Sequence, residues 1–385
     1  MPCAKRVKQS INAKYMSKVI IRKSTYDYTT LRPAFFEIMD AIGGHLIKKD
    51  DRVLIKPNLL SPALPEQAVL THPSIVKAAV EYVLRKGARP LVSDSPAIGS
   101  FEKILRESGI KDALRALDVT CRAFENSKHV DVGEPFYTIE IAEDAMNADL
   151  VINLPKLKTH SQMLLTLGVK NLFGCIVGYR KPEWHMRTGI NRVMFAKLLV
   201  LIYQSIRPSV TILDGILAME GEGPGTRGIP REIGVLIGSQ DACAVDSMVC
   251  KMIGLEPESL LTLKTAKELG IFQECNEVNG HLPEIRDFKL PNMSPLMFGP
   301  KILHGFIRRH LLQRPVCDNR SCRMCGECWT ICPGRAISPH EKALCFEYDR
   351  CIRCYCCIEV CPHGSLHTGE TIAGKIIRDI IKRYS

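Results

Sequence analysis

At 385 residues the chain is longer than one hydrophobic core usually serves, so two domains are the default. No stretch approaches the ~20 uninterrupted apolar residues a membrane span needs, and no secretory signal is visible, so a soluble chain without a transmembrane segment is expected. The formal net charge of +11 comes without interleaved aromatics or a nucleic-acid motif, which favours a solvated surface or an acidic redox partner over nucleic acid.

Residues 1–17 hold Lys5, Arg6, Lys8 and Lys14 and no acid, and read as a disordered basic tail. Met16 leaves an over-extended start open as well. Residues 18–24 look like a strand, and Thr29 to Leu46 has helical apolar spacing. Arg52-Val-Leu-Ile-Lys-Pro-Asn58 then introduces a pattern that recurs: a short apolar run that stops abruptly at polar residues. Pro90-Leu-Val-Ser-Asp-Ser-Pro96 follows a helix that Pro73 opens and Gly87 closes. Asp149-Leu-Val-Ile-Asn-Leu-Pro-Lys156 comes next, and after a helical run from Met194 to Ile206 come Val210-Thr-Ile-Leu-Asp-Gly215 and Ile233-Gly-Val-Leu-Ile-Gly238. Uniformly apolar strands alternating with helices predict an α/β domain over 18–294, a mainly parallel sheet with helices on both faces.

In such sheets ligands bind beyond the carboxyl ends of the strands, so the polar residues closing each run carry the functional expectation. These are Lys56 and Asn58, Asp94 and Ser95, Asn153, Lys156, Lys158 and His160, Asp214, Asp241 and Asp246. The densest stretch runs from Pro155-Lys-Leu-Lys-Thr-His160 to Gly168-Val-Lys-Asn-Leu-Phe-Gly174. Lys156, Lys158, Lys170 and Asn171 there would hold an anionic group, a carboxylate or a phosphate, beside glycines that allow close backbone approach. A solvated basic loop is the plain alternative. Neither a Walker A loop nor a dinucleotide GxGxxG is present. Glu220-Gly-Glu-Gly-Pro-Gly-Thr-Arg-Gly228 reads as a hinged lid or as a bare loop, and His185 carries no assignment.

Residues 295–314 read as a linker helix and 369–385 as a basic amphipathic helix, each able to dock on the protein itself or to lie on an anionic membrane. Between them, over 315–368, eleven of the seventeen cysteines gather. Cys322-Arg-Met-Cys325-Gly-Glu-Cys328-Trp-Thr-Ile-Cys332-Pro333 is repeated in spacing by Cys351-Ile-Arg-Cys354-Tyr-Cys-Cys357-Ile-Glu-Val-Cys361-Pro362. Three evenly spaced thiolates wrap one face of an iron–sulfur cube, and the fourth, before proline, reaches the neighbouring cube. Two [4Fe-4S] clusters are therefore expected, one on Cys322, Cys325, Cys328 and Cys361, the other on Cys351, Cys354, Cys357 and Cys332. Paired CxxC also binds zinc, but zinc closes with four ligands and does not need this arrangement. Oxidised clusters of about −2 each would offset roughly four units of the positive charge. Cys317, Cys345 and Cys356 fall outside the pattern and read as packing residues. The remaining cysteines are scattered among apolar neighbours, as reduced thiols of a cytoplasmic protein are.

With Lys-Pro-Asn58, Ser-Asp-Ser95, Pro-Lys-Leu-Lys-Thr-His160, Gly-Val-Lys-Asn171 and Asp-Gly215 in this order before a bacterial-type two-cluster ferredoxin, the chain resembles the iron–sulfur centre proteins in which a domain of unknown function precedes ferredoxin repeats. The resemblance implies an α/β domain joined to two four-iron clusters, mostly in anaerobic prokaryotes, with no established reaction. The strand-end pattern is also faintly similar to nickel-pincer lactate racemases, from which no residue carries over. The expected function is an iron–sulfur oxidoreductase passing low-potential electrons to a small anionic substrate. Lys56, Asn58, Lys156, Lys158, Lys170, Asn171 and Asp214 would bind the substrate, and His160 or Asp94 would donate the proton that neutralises the charge delivered. An electron-transfer or cofactor-assembly protein without its own turnover is the alternative.

Overall fold

The computed structural model describes residues 17–178, 180–188, 191–274, 276–293 and 313–369. Ten strands form the central sheet: β1 (Ser17–Lys23), β2 (Arg52–Pro57), β3 (Arg89–Val92), β4 (Thr120–Cys121), β5 (Leu150–Leu154), β6 (Lys156–His160), β7 (Leu164–Thr166), β8 (Val210–Gly221), β9 (Gly228–Ser239) and β10 (Asn276–Asn279). Their order is β10-β1-β9-β8-β5-β2-β3-β4, with β6 paired to β8 and β7. From β8 through β5, β2 and β3 to β4 the pairing is parallel, whereas β1, β9 and β8 run antiparallel. The sheet is thus mainly parallel, as the alternation of apolar runs and helices predicts, with two antiparallel hairpins, β8–β9 and β6–β7, built in.

Burial on both faces explains why the strands are apolar throughout. Leu54, Val151, Leu213 and Ile237 point into one core layer, under the helices Arg192–Ile206 and Ala242–Met252. Their neighbours Val53, Ile55, Ile152, Ile212 and Leu236 point into the other, under Tyr28–Ile42 and Pro73–Arg85. Alternation along each strand supplies both layers from one run.

Of the glycine-rich segment 220–228, residues 222–227 form the connection between two strands. β8 and β9 extend to Gly221 and from Gly228, so their twelve-residue arms leave only a short turn. That turn rests on the cysteine-rich domain: Arg227 donates to the Gly364 carbonyl at 3.2 Å, and a Cβ on Gly225 would stand 3.2 Å from the Glu359 carbonyl oxygen. The segment is thus a loop between two strands that also touches the neighbouring domain.

The cysteine-rich domain has its own small core, Ile337, Leu344, Tyr355, Ile358, Val360 and Leu366 with Cys328, Cys357 and Cys361. Strand Arg314–Cys317 pairs antiparallel with Leu366–Gly369, and Ile337–His340 with Ala343–Phe346. Arg314, expected at the end of a linker helix, opens a strand instead. The rest of that helix, the C-terminal helix beyond Gly369 and the basic tail through Met16 lie outside the described residues.

Candidate functional site

A cavity of about 310 Å³ lies between the two domains, at the carboxyl ends of the parallel strands. Lys56, Asn58, Asp94, Ser95, Lys158, His160, Lys170 and Asn171 all line it, so eight of the expected residues converge although 115 positions separate Lys56 from Asn171. Lys156 and Asp214 are not among the lining residues.

The turn of the chain beyond each strand places these groups. Lys56 ends β2, is 1% exposed, and stands 2.9 Å from Asp94 just beyond β3. Asp94 also accepts from the backbone N–H groups of Leu59 and Ser95, each at 2.8 Å. Gly174 permits this pair, since a Cβ there would fall 2.2 Å from Asp94 Oδ1 and 2.5 Å from Lys56 Nζ. Asn171 ties the ends of β2 and β5 together. Its Nδ2 donates to Asn153 at 2.8 Å and its Oδ1 accepts from Asn58 at 2.9 Å.

The stretch that could have been a solvated basic loop is a buried strand. Every residue of β6 is buried. Period-two alternation puts Lys156, Lys158 and His160 on one face and Leu157 in the core behind them. Lys156 is satisfied within the fold, 2.9 Å from Asp214 and 2.8 Å from the Tyr26 hydroxyl. Lys158 donates to the Val69 carbonyl at 2.8 Å and pairs with no carboxylate among the described residues. Burial, reinforced by Lys170, lowers its pKa to about 7.

His160 is read by its partners. Its Nδ1 accepts from the backbone N–H groups of Gln162 and Met163, at 3.1 and 3.2 Å, which places the proton on Nε2. Nε2 stands 2.8 Å from Glu359 Oε1, close but out of line for a full hydrogen bond. Burial and then Lys170 lower the imidazole to about 4, so it is neutral near pH 7. Burial alone would raise the Glu359 carboxyl, but His160, Lys170 and His185 outweigh it and hold the group at about 2.

Sequence reasoning missed Lys181, His185, Cys356 and Glu359 as cavity residues. Lys181 donates to the Ser95 carbonyl, and burial lowers it to about 8. Nothing local marks it. Glu359 and Cys356 had a visible signal in the cysteine repeat, where Thr330 and Glu327 hold the equivalent places. All four line the cavity, on the helices Glu327–Thr330 and Cys356–Glu359.

The same two helices carry cysteines of both expected sets. Cys328 lies in electrostatic reach of Cys325, Cys361 and Cys322, and Cys357 of Cys354, Cys351 and Cys332. Cys322, Cys325, Cys328 and Cys361 also line one small void. Cysteines of the two repeats thus lie close to one another, which is compatible with iron–sulfur binding. Backbone N–H groups point at two of the sulfurs, Ala336 at Cys332 (3.3 Å) and Ser365 at Cys361 (3.2 Å), which favours thiolate ligands. Among the described residues no three such side chains are drawn together around a single ion.

Residues 53–251 match the family described as a domain of unknown function, DUF362. The chain belongs to this family. The thylakoid-associated protein sll1697 of Synechocystis sp. is 35% identical over 303 residues, 76% of this chain and 94% of that protein. The pyruvate synthase subunit PorD of Methanocaldococcus jannaschii is 38% identical over 54 residues, 14% of this chain and 63% of the subunit. The lactate racemase apoprotein from Thermoanaerobacterium thermosaccharolyticum aligns over 58% of this DUF362 chain and 54% of its own, with 11% identity and a TM-score of 0.38. That likeness is too loose to transfer residues. No helix among the described residues is long and apolar enough to cross a membrane.

Proposed function

We propose that this DUF362 protein is an iron–sulfur oxidoreductase that reduces a small anionic substrate in the cavity between its domains. The observation that carries the reading is the composition of the cavity wall. Lysines of the α/β domain form one side; on the other, Ile331 and Val360 immediately precede Cys332 and Cys361, and Cys356 stands between Cys354 and Cys357. Two four-iron clusters would be held by Cys322, Cys325, Cys328 and Cys361 and by Cys351, Cys354, Cys357 and Cys332. When bound they supply low-potential electrons, one from each.

The chain's own groups do the rest. Lys158 and Lys170 attract the anion, and the apolar side chains Ile98, Ile331 and Val360 limit water. Reduction builds negative charge on the substrate that a proton must neutralise. Lys158, poised near neutrality, and His160, with its proton on Nε2, are the donors in this reading. Asp94 accepts from three donors, and its part is to position Lys56. Lys156 and Asp214 act behind the wall by fixing β6 against β8. A cytoplasmic setting and an acidic electron donor belong to the same proposal.

Anaerobic protein titrated with dithionite should take up electrons and give the EPR signals of reduced four-iron clusters. His160→Ala and Lys170→Ala should then slow oxidation of the reduced protein by the small molecule that co-purifies with it, identified by mass spectrometry. A redox-silent protein ends the proposal. The match to a pyruvate synthase subunit favours a second reading, an electron carrier acting within a larger assembly. Rapid oxidation by a partner protein, with no bound small molecule, would select it.

A further inference from the structure

Four lysines line the cavity, Lys56, Lys158, Lys170 and Lys181, against two enclosed carboxylates, Asp94 and Glu359. Glu327 stands at the exposed rim. Asp94 is matched to Lys56 at 2.9 Å. Glu359 sits against His160 and is the acid that favours the charged form of Lys170. Among the described residues Lys158 and Lys181 are then left with hydrogen bonds to carbonyls, Val69 and Ser95, and neither has an ion-pair partner of its own. Two ammonium groups that share the carboxylates of other pairs are a costly arrangement in a water-poor site unless a ligand completes it.

Resting on the reading of this cavity as the substrate site, we propose that it takes a small dicarboxylate, one carboxylate at Lys158 and the other at Lys181. Among the described residues, three buried polar atoms of the wall have no hydrogen-bond partner, Asn58 Oδ1, Thr166 Oγ1 and His185 Nδ1, and can bond a polar ligand or its bound water. Ile98, Phe173, Ile331 and Val360 border the space for a carbon skeleton. Phosphate is the poorer fit, because no arginine lines the cavity to offer the forked contact that phosphoryl groups favour. A volume of about 310 Å³ suits an acid of a few carbons. The two lysines concerned are the ones that burial brings to about 7 and about 8, so an arriving anion restores their charge.

Calorimetric titration of the full-length, cluster-loaded protein under anaerobic conditions, at pH 7, tests this. The ligands are the dicarboxylates from malonate to adipate and terephthalate, with butyrate, benzoate and inorganic phosphate as controls. At least one dicarboxylate should bind about tenfold or more tighter than every control. Lys158→Met and Lys181→Met should each bring that ligand to the level of a monocarboxylate, with visible absorption and circular dichroism unchanged. Equal affinity for mono- and dicarboxylates, or a preference for phosphate, overturns the dicarboxylate while leaving an anion site in place. Binding of none of them assigns the spare lysines to the charge of the clusters themselves and removes the anion-site reading too. The wild-type ranking decides between these outcomes even if a variant fails to fold.

Discussion

The α/β domain buries two apolar layers on either side of its sheet, while the cysteine-rich domain, of fewer than ~60 residues, packs a core in which three of nine buried members are cysteines. The first can tolerate buried charge because its framework is already secure, and it places Lys56, Lys156 and Lys158 at 1% exposure. The second has little apolar surface to bury and needs cross-links. In the proposed function these come from iron. The difference teaches that stability and chemistry are divided: one domain holds the charged groups in a large apolar framework, and the other gathers the cysteines around a small one.

The largest effect that could break this comparison is removal of the metal. Oxidation with a chelator should abolish amide protection over 313–369 while the core strands β2, β5 and β8 stay protected in hydrogen exchange. Equal protection in both domains before and after would mean that the small core suffices by itself. A smaller effect is expected inside the α/β domain. Asp214→Ala leaves Lys156 buried without its carboxylate and should cost about 3–5 kcal/mol in denaturant unfolding. A loss under ~1 kcal/mol would show that the lysine escapes to solvent.

The smallest effect is pH-dependent. Lys158 has a folded pKa of about 7 against 10.5 for the ordinary side chain. Below pH 7 both folded and unfolded states hold the proton, and burial of the ammonium is fully unfavourable. Between about 7 and 10.5 the unfolded chain binds more protons, so wild-type stability recovers as pH rises. Lys158→Met should therefore be the more stable protein by roughly 1–3 kcal/mol near pH 6, a gap that narrows toward pH 10. A gap independent of pH would place the ammonium in contact with water or an anion.

Much of the site was legible because strands of a parallel sheet end on one edge. Lys56, Asn58, Asp94, Lys158 and His160 follow that rule and line one cavity. Lys156 and Asp214 follow it too, yet the sheet pairs them with each other, since β6 runs parallel to β8 with Lys156 opposite Asp214. Lys181 and His185 come from a polar helix, Arg180–Thr188, whose sequence does not reveal which side faces a neighbour. The segment 220–228 joins two strands, as its bare-loop reading has it, but its contacts with Gly364 and Glu359 had no local signal.

The sequence by itself determined the layered α/β pattern and the doubled cysteine spacing, because apolar periodicity and ligand spacing act over a few residues. Only the tertiary structure decided that Glu359 meets His160 and that both domains wall one cavity. Contacts between residues 199 positions apart, like the absence of a carboxylate beside Lys158, depend on how whole domains dock. No local pattern encodes that.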